Sequence, residues 1–221
     1  MKRLLLLILL AGLLVPEGMA QTDASELRIA RVKYGGGGDW YVDEHSLTEL
    51  VRFAREHTLL DLGTEEVVVE LTSDNLFQYP YLYLTGHGNV VFTEEEVVRL
   101  RRYLEGGGFL HVDDNYGLDP YIRRELAKVF PDQEFRLLPN DHPIYHSHFA
   151  FPEGLPKIHE HDGKPAQCFG LFHEGRLVVF YSYESDLGDG WDPPEVHNNP
   201  PEVRLQALRM GANILVYAMT R

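Results

Sequence analysis

Cysteine is nearly missing from these 221 residues, with Cys168 standing alone. An internal disulfide is therefore excluded, and burial of apolar side chains has to stabilise the fold. Long apolar runs are equally scarce. The run Leu4 to Val15 covers 12 residues, short of the roughly 20 that cross a hydrocarbon core. Lys2 and Arg3 precede it and Gly18-Met19-Ala20 follows as a small-x-small cleavage pattern. Residues 1–20 are accordingly expected to be a signal peptide, and 21–221 a single exported domain, periplasmic or extracellular, with no stable membrane span after cleavage. No cysteine follows the cleavage site, so no lipoprotein is indicated. Positive charge is also in deficit: 20 Lys and Arg against 34 Asp and Glu give a net charge of −14. That balance disfavours nucleic acid as a partner, and it also serves solubility.

Against these absences stands a regular alternation of strand and helix patterns. Leu27 to Tyr34 alternates Leu27, Ile29 and Val32 with charged residues and runs into Gly35-Gly36-Gly37-Gly38-Asp39-Trp40, a strand ending in a glycine-rich loop. Ser46 and Glu49 have the spacing of a capping box, and Leu47, Leu50, Val51 and Ala54 continue at helical spacing. Further strands are expected at Glu66 to Leu71, Tyr81 to Thr85 and Phe109 to Val112. Thr93 and Glu96 predict a helix that Gly106-Gly107-Gly108 ends, and Asp119-Pro120 opens another. Strands alternating with helices predict an α/β fold with a mainly parallel sheet covered on both faces. From Phe135 to Trp191 the pattern changes to strands and polar loops, with a hairpin at His173-Glu174-Gly175-Arg176, before a last helix from about Pro201 to Ala218.

Six motifs in order, RVKYGGGGDWY from Arg31, YLYLTGHGN from Tyr81, GGFLHVDDNYG from Gly107, DHPIYH from Asp141, PKIHEHDG from Pro156 and YESDLGDGW from Tyr183, resemble the bacterial family called domain of unknown function 4159. The likeness covers nearly all of the mature chain. The resemblance implies a branch of the class I glutamine-amidotransferase-like, flavodoxin-like fold; the segment TEEEVVRLRRYLEGGGFLHV is similar to trehalose-utilisation-type proteins. One departure matters. Where amidotransferases place a nucleophilic cysteine after this strand, the chain reads Val112-Asp113-Asp114-Asn115. Without that nucleophile, glutaminase activity does not carry over.

In an open α/β sheet, ligands bind beyond the carboxyl ends of the strands. The ligand-binding candidates there are Gly36, Gly37, Asp39, Trp40, His87, Asn89, Asp113 and Asp114, and the catalytic candidates among them are His87, Asp113 and Asp114. Gly86-His87-Gly88 offers an exposed imidazole as general base or oxyanion donor, or else a turn capped by His87. Asp113 and Asp114 suit a paired-carboxylate or hard-cation site, although neighbours on a strand point to opposite faces. Gly35 to Gly38 lacks the Lys-Ser/Thr of a phosphate loop and the spacing of a dinucleotide loop. His146 with His148, and His159 with His161, are two apart; on extended backbone each pair faces one side, and two pairs meeting suit a divalent metal such as zinc, with Glu160, Asp162 or Asp113 and Asp114 as helpers. Glu184 to Trp191 has oxygen ligands and glycines without calcium-loop spacing and reads as turns. Trp40, Tyr41, Tyr116 and Trp191 border these loops, where they either stack on a planar ligand or pack the loops down. Cys168 reads as a small buried hydrophobe. Two functions fit: a non-catalytic exported domain that binds a metal, a small ligand or a protein partner, and a metal-assisted hydrolase or sugar-modifying enzyme using His87, Asp113 or Asp114 and the histidine pairs.

Overall fold

The computed structural model describes residues 27–221; the signal peptide expected over 1–20 lies outside the described residues. The strands are β1 (Ile29–Lys33), β2 (Val67–Glu70), β3 (Tyr81–Leu84), β4 (Phe109–Asp113), β5 (Arg136–Leu137), β6 (Gln167–His173) and β7 (Arg176–Tyr183). The helices are α1 (Ser46–His57), α2 (Glu94–Glu105), α3 (Asp119–Val129), the short α4 (Leu187–Trp191) and α5 (Pro194–His197), and α6 (Pro201–Thr220). All seven strands form one sheet in the order β2-β1-β3-β4-β7-β6-β5. The first five in that order are parallel, and β6 and β5 extend the sheet antiparallel. The strand- and loop-rich segment is therefore an excursion that leaves after α3 and returns through the β6–β7 hairpin to lay down the fifth parallel strand.

Alternation along the strands builds two cores. Leu82 and Leu84 of β3 and Leu110 and Val112 of β4 point toward α2 and α3, where Val97, Leu100, Ile122 and Leu126 meet them. Tyr81, Tyr83 and Phe109 point the other way, against Leu47 and Leu50 of α1, Trp191 of α4, and Met210 and Ile214 of α6. Among the described residues, no helix is long and apolar enough to cross a membrane.

The capping box predicted at Thr93 and Glu96 is formed in both directions. The one predicted at Ser46 and Glu49 is not. Its helix is preceded by His45 without a side-chain cap, because Ser46 Oγ accepts from the buried Arg31 (3.3 Å) and Glu49 is taken by Arg204 (2.7 Å). The segment around His146 also departs from the extended backbone expected of it. Pro143 to His146 is one 3-10 turn, started by His142, whose Nδ1 accepts from Ile144 N at 3.3 Å, and proline at the first helical position favours that outcome.

Candidate functional site

The carboxyl ends of β1, β3, β4 and β7 open on one edge, and the order of the chain across the sheet reverses between β1 and β3. A reversal of this kind opens a crevice at the strand ends. Three segments converge there. The loop after β1 is set by Arg31, whose buried guanidinium pairs with Glu66 (2.6 Å) and donates to the carbonyls of Val42 (2.7 Å) and Asp43 (2.8 Å). The loop carrying His159 and His161 is strapped to the end of β7: Ser185 Oγ donates to Pro156 O (2.6 Å), Ser185 O accepts from Ile158 N (3.0 Å), and Glu184 holds both Lys157 Nζ (2.6 Å) and Asp162 N (2.9 Å). The third segment is α4 with the turn into α5, which carries Asp186, Asp189, Asp192 and His197.

Asp113 is the floor of this arrangement. It is fully buried and accepts four hydrogen bonds, from Tyr83 Oη (3.0 Å), Ser182 Oγ (2.5 Å), Leu187 N (3.2 Å) and Gly188 N (2.6 Å). It thereby anchors the first turn of α4. Behind it, Tyr81 Oη lies 2.7 Å from His111 Nδ1, and His111 Nε2 lies 2.9 Å from Ser182 Oγ. Burial holds His111 down to about 3, so the ring is neutral. Gly188 is required in this turn, since a Cβ there would stand 2.6 Å from Tyr83 Oη and 2.7 Å from Asp43 Oδ2. Among the described residues five non-glycine residues have positive φ, and three of them, Asp43, Glu184 and Asp186, are at this edge. Backbone strain concentrated in this way is typical of functional sites.

Among the described residues, side chains form three overlapping groups with potential ligand atoms within 4.8 Å of one another: His159, His161 and Asp186; Asp43, Asp186 and Asp189; and Asp43, Asp192 and His197. His161 Nε2 is 3.0 Å from Asp186 Oδ2, and His159 Nδ1 is 3.7 Å from the same oxygen. His197 Nε2 is 3.2 Å from Asp192 Oδ2 and 3.7 Å from Asp43 Oδ1. Among the described residues, three buried side-chain atoms have no hydrogen-bond partner, Asp43 Oδ1, His161 Nδ1 and Asp192 Oδ1, and all three belong to these groups. Buried polar atoms are normally paired, so three orphans in one place mark this edge as a candidate binding site.

The electrostatics agree with that reading. Burial, reinforced by the charges of Asp186, Asp189 and Asp192, pushes Asp43 up to about 8. Burial and Asp186 push Asp113 and Asp189 up to about 7. Burial likewise raises Asp114 to about 7. Burial would raise Asp186 too, but His159 and His161 outweigh it and hold this carboxyl below its ordinary range. His159 is raised by the Asp186 carboxylate, and His161 is raised by the same carboxylate against its own burial. Like charges packed this closely retain protons unless a cation replaces them.

The remaining candidates divide. Asp114, also buried, accepts from Glu184 N (3.1 Å) and lies 4.0 Å from His161 Nδ1. His87 is exposed, with Nδ1 3.0 Å from Asp39 Oδ2, and its backbone N–H donates to Asp39 Oδ1. Asn89 accepts from Arg124 (3.1 Å) and donates to Gly36 O (3.0 Å). A Cβ on Gly36 would meet Val91 N at 2.8 Å, whereas Gly37 has open space around it. Trp40 and Tyr41 line an open pocket with Arg31, Glu44, His45 and Glu66. Trp191 is fully buried, and its indole donates to Ala207 O (2.9 Å), so it packs the loop instead of stacking on a ligand. His146 bonds Asn140 O (3.2 Å), and the His148 and Phe149 backbones bond Asn213 of α6. Neither His146 nor His148 is in any of the three groups, so the two histidine pairs do not meet. Glu160 is exposed, 3.6 Å from Lys157. Cys168 is buried with its thiol pushed well up by burial. Sequence reasoning passed over Asp43, Asp192 and His197, and it read Asp186 and Asp189 as turn residues without calcium-loop spacing. The available signal was the spacing of three in Asp186-x-x-Asp189-x-x-Asp192, which sets carboxylates on neighbouring positions of a helical turn.

Residues 28–219 match the family Domain of unknown function (DUF4159). The chain belongs to this family. No curated protein matches it. The DUF4159 match runs from β1 into α6 and thus includes every residue of the three groups.

Proposed function

We propose that this DUF4159 protein is an exported divalent-metal-binding domain that holds its ion with His159, His161 and Asp186 at the carboxyl edge of the sheet. The observation that carries the reading is the convergence of two imidazoles on one buried carboxylate oxygen, with His161 Nε2 3.0 Å and His159 Nδ1 3.7 Å from Asp186 Oδ2. Two imidazoles and a carboxylate suit zinc or a similar first-row ion. The parallel strand order β2-β1-β3-β4-β7 is that of flavodoxin-like sheets and supports the amidotransferase-like placement; Asp113, at the end of β4, stands where that placement would put the thiol. Export rests on the start of the sequence, where the charged residues, the apolar run and Ala20 predict a mature protein beginning at Gln21.

A second reading, metal-assisted hydrolysis, is favoured by one feature. Three protein ligands leave a coordination position for water, the arrangement of catalytic zinc sites. Calorimetric titration of zinc into chelator-treated protein purified without a histidine tag tests the binding. Micromolar or tighter affinity, lost in His161→Ala and kept in His146→Ala, is expected. Absence of heat in the wild type would sink the reading, and hydrolysis of generic ester and phosphoester substrates by the zinc-loaded protein would separate the hydrolase from the binding domain.

A further inference from the structure

Resting on the metal-binding reading, we propose that the site takes two divalent cations: a second ion is held by Asp43, Asp192 and His197, and Asp189 is the ligand shared between the two. The geometry of Asp189 carries this. Its Oδ2 faces His159 Nδ1 at 3.5 Å and its Oδ1 faces His197 Nε2 at 3.4 Å, so each oxygen of one carboxylate addresses a different histidine-bearing group. The Asp43, Asp186 and Asp189 group joins the other two, with Asp186 belonging to the first ion and Asp43 to the second.

The orphaned atoms divide the same way. His161 Nδ1 is on the side of the ring that faces Asp114 at 4.0 Å, beside the first group, while Asp43 Oδ1 and Asp192 Oδ1 lie in the second, on side chains only 1% and 3% exposed. One ion at His159, His161 and Asp186 would leave those two oxygens unsatisfied. A second ion satisfies both. Charge gives the same count, because Asp43, Asp186, Asp189 and Asp192 supply four negative charges when ionised, and two divalent ions neutralise them. His197, 27% exposed, forms the solvent side of the second site and offers it an entry path. Mixed imidazole and carboxylate donors favour zinc or a similar first-row ion over calcium or magnesium, which prefer oxygen alone, and manganese serves as the paramagnetic probe.

The test uses the full mature chain, stripped with chelator and reloaded with zinc or manganese. Elemental analysis after dialysis is expected to find two ions per chain. Asp192→Asn combined with His197→Ala is expected to keep one, and so is His159→Ala combined with His161→Ala, with circular dichroism confirming the fold of each. Manganese paramagnetic resonance on the wild type needs no variant, and an exchange-coupled pair spectrum that becomes uncoupled in Asp189→Asn supports the shared ligand. One ion in the wild type, unaffected by the Asp192 and His197 changes, would overturn the second site and leave the first standing. No ion would overturn both. Two ions without exchange coupling would overturn the bridging role of Asp189.

Discussion

Asp113 accepts two main-chain and two side-chain hydrogen bonds beneath α4, which makes it a positioning residue for the aspartates above it. Replacing it with alanine strands those donors in a dry environment, where each unpaired group costs about 1–3 kcal/mol. Asp113→Ala is therefore expected to lower stability by about 3 kcal/mol or more in urea unfolding and to weaken metal binding. A loss below about 1 kcal/mol would show that the turn is held by other contacts. Gly188 makes the same point by steric means. The Cβ of Gly188→Ala would compete with Asp43 Oδ2, so titration should show zinc affinity falling further than the melting temperature does. Cys168→Ser is the control. Its thiol lies outside all three ligand groups, and zinc affinity equal to wild type is expected.

At the scale of elements, the loop bearing His159 and His161 owes its place to the Lys157–Glu184 pair and to Ser185. Lys157→Met breaks the charged strap without touching a ligand. Removing supports of this kind lowers metal affinity by about 10–100-fold, and titration should find that loss confined to the first ion. Thr93→Ala, by contrast, removes the cap of α2, which faces the other core. It is expected to cost about 1 kcal/mol in denaturant and leave metal binding alone. The sequence announced α2 because both halves of its capping box are local, three residues apart, with no tertiary competitor. It misread Ser46 because Arg31 and Arg204, far away in the chain, claim the same side chains. The same distinction governs the site. His159 and His161 were legible as neighbours, whereas Asp43 and His197 are brought together only by the sheet, and Asp186, Asp189 and Asp192 looked like ordinary turn residues until α4 wound them into a turn of helix.

For the whole molecule, the raised carboxyls set a pH trend. Asp43, Asp113 and Asp189 return on unfolding to about 3.8, so up to their folded values of about 7 to 8 the native chain binds more protons than the unfolded one. Their contribution to stability is complete below 3.8 and is lost as pH rises through 7 to 8. His159 and His161, raised above 6.5, act in the same direction. His111, lowered to about 3, opposes them only below 6.5. Between pH 6.5 and 8 the metal-free protein is therefore expected to lose melting temperature steadily. With saturating zinc the ion replaces the protons, and the trend should flatten or reverse; parallel slopes with and without zinc in scanning calorimetry would refute this. The proposed ligands reach from Asp43, ahead of α1, to His197, just before α6. Ions bound there would close most of the chain into loops, as a disulfide does, and loop closure restricts the unfolded ensemble. A chelator should then act on this chain as a reductant acts on a disulfide-bonded one, with proteolysis beginning in the strap and the α4–α5 turn. A protein with a single thiol would thus carry a cross-link whose strength follows the metal content of its surroundings.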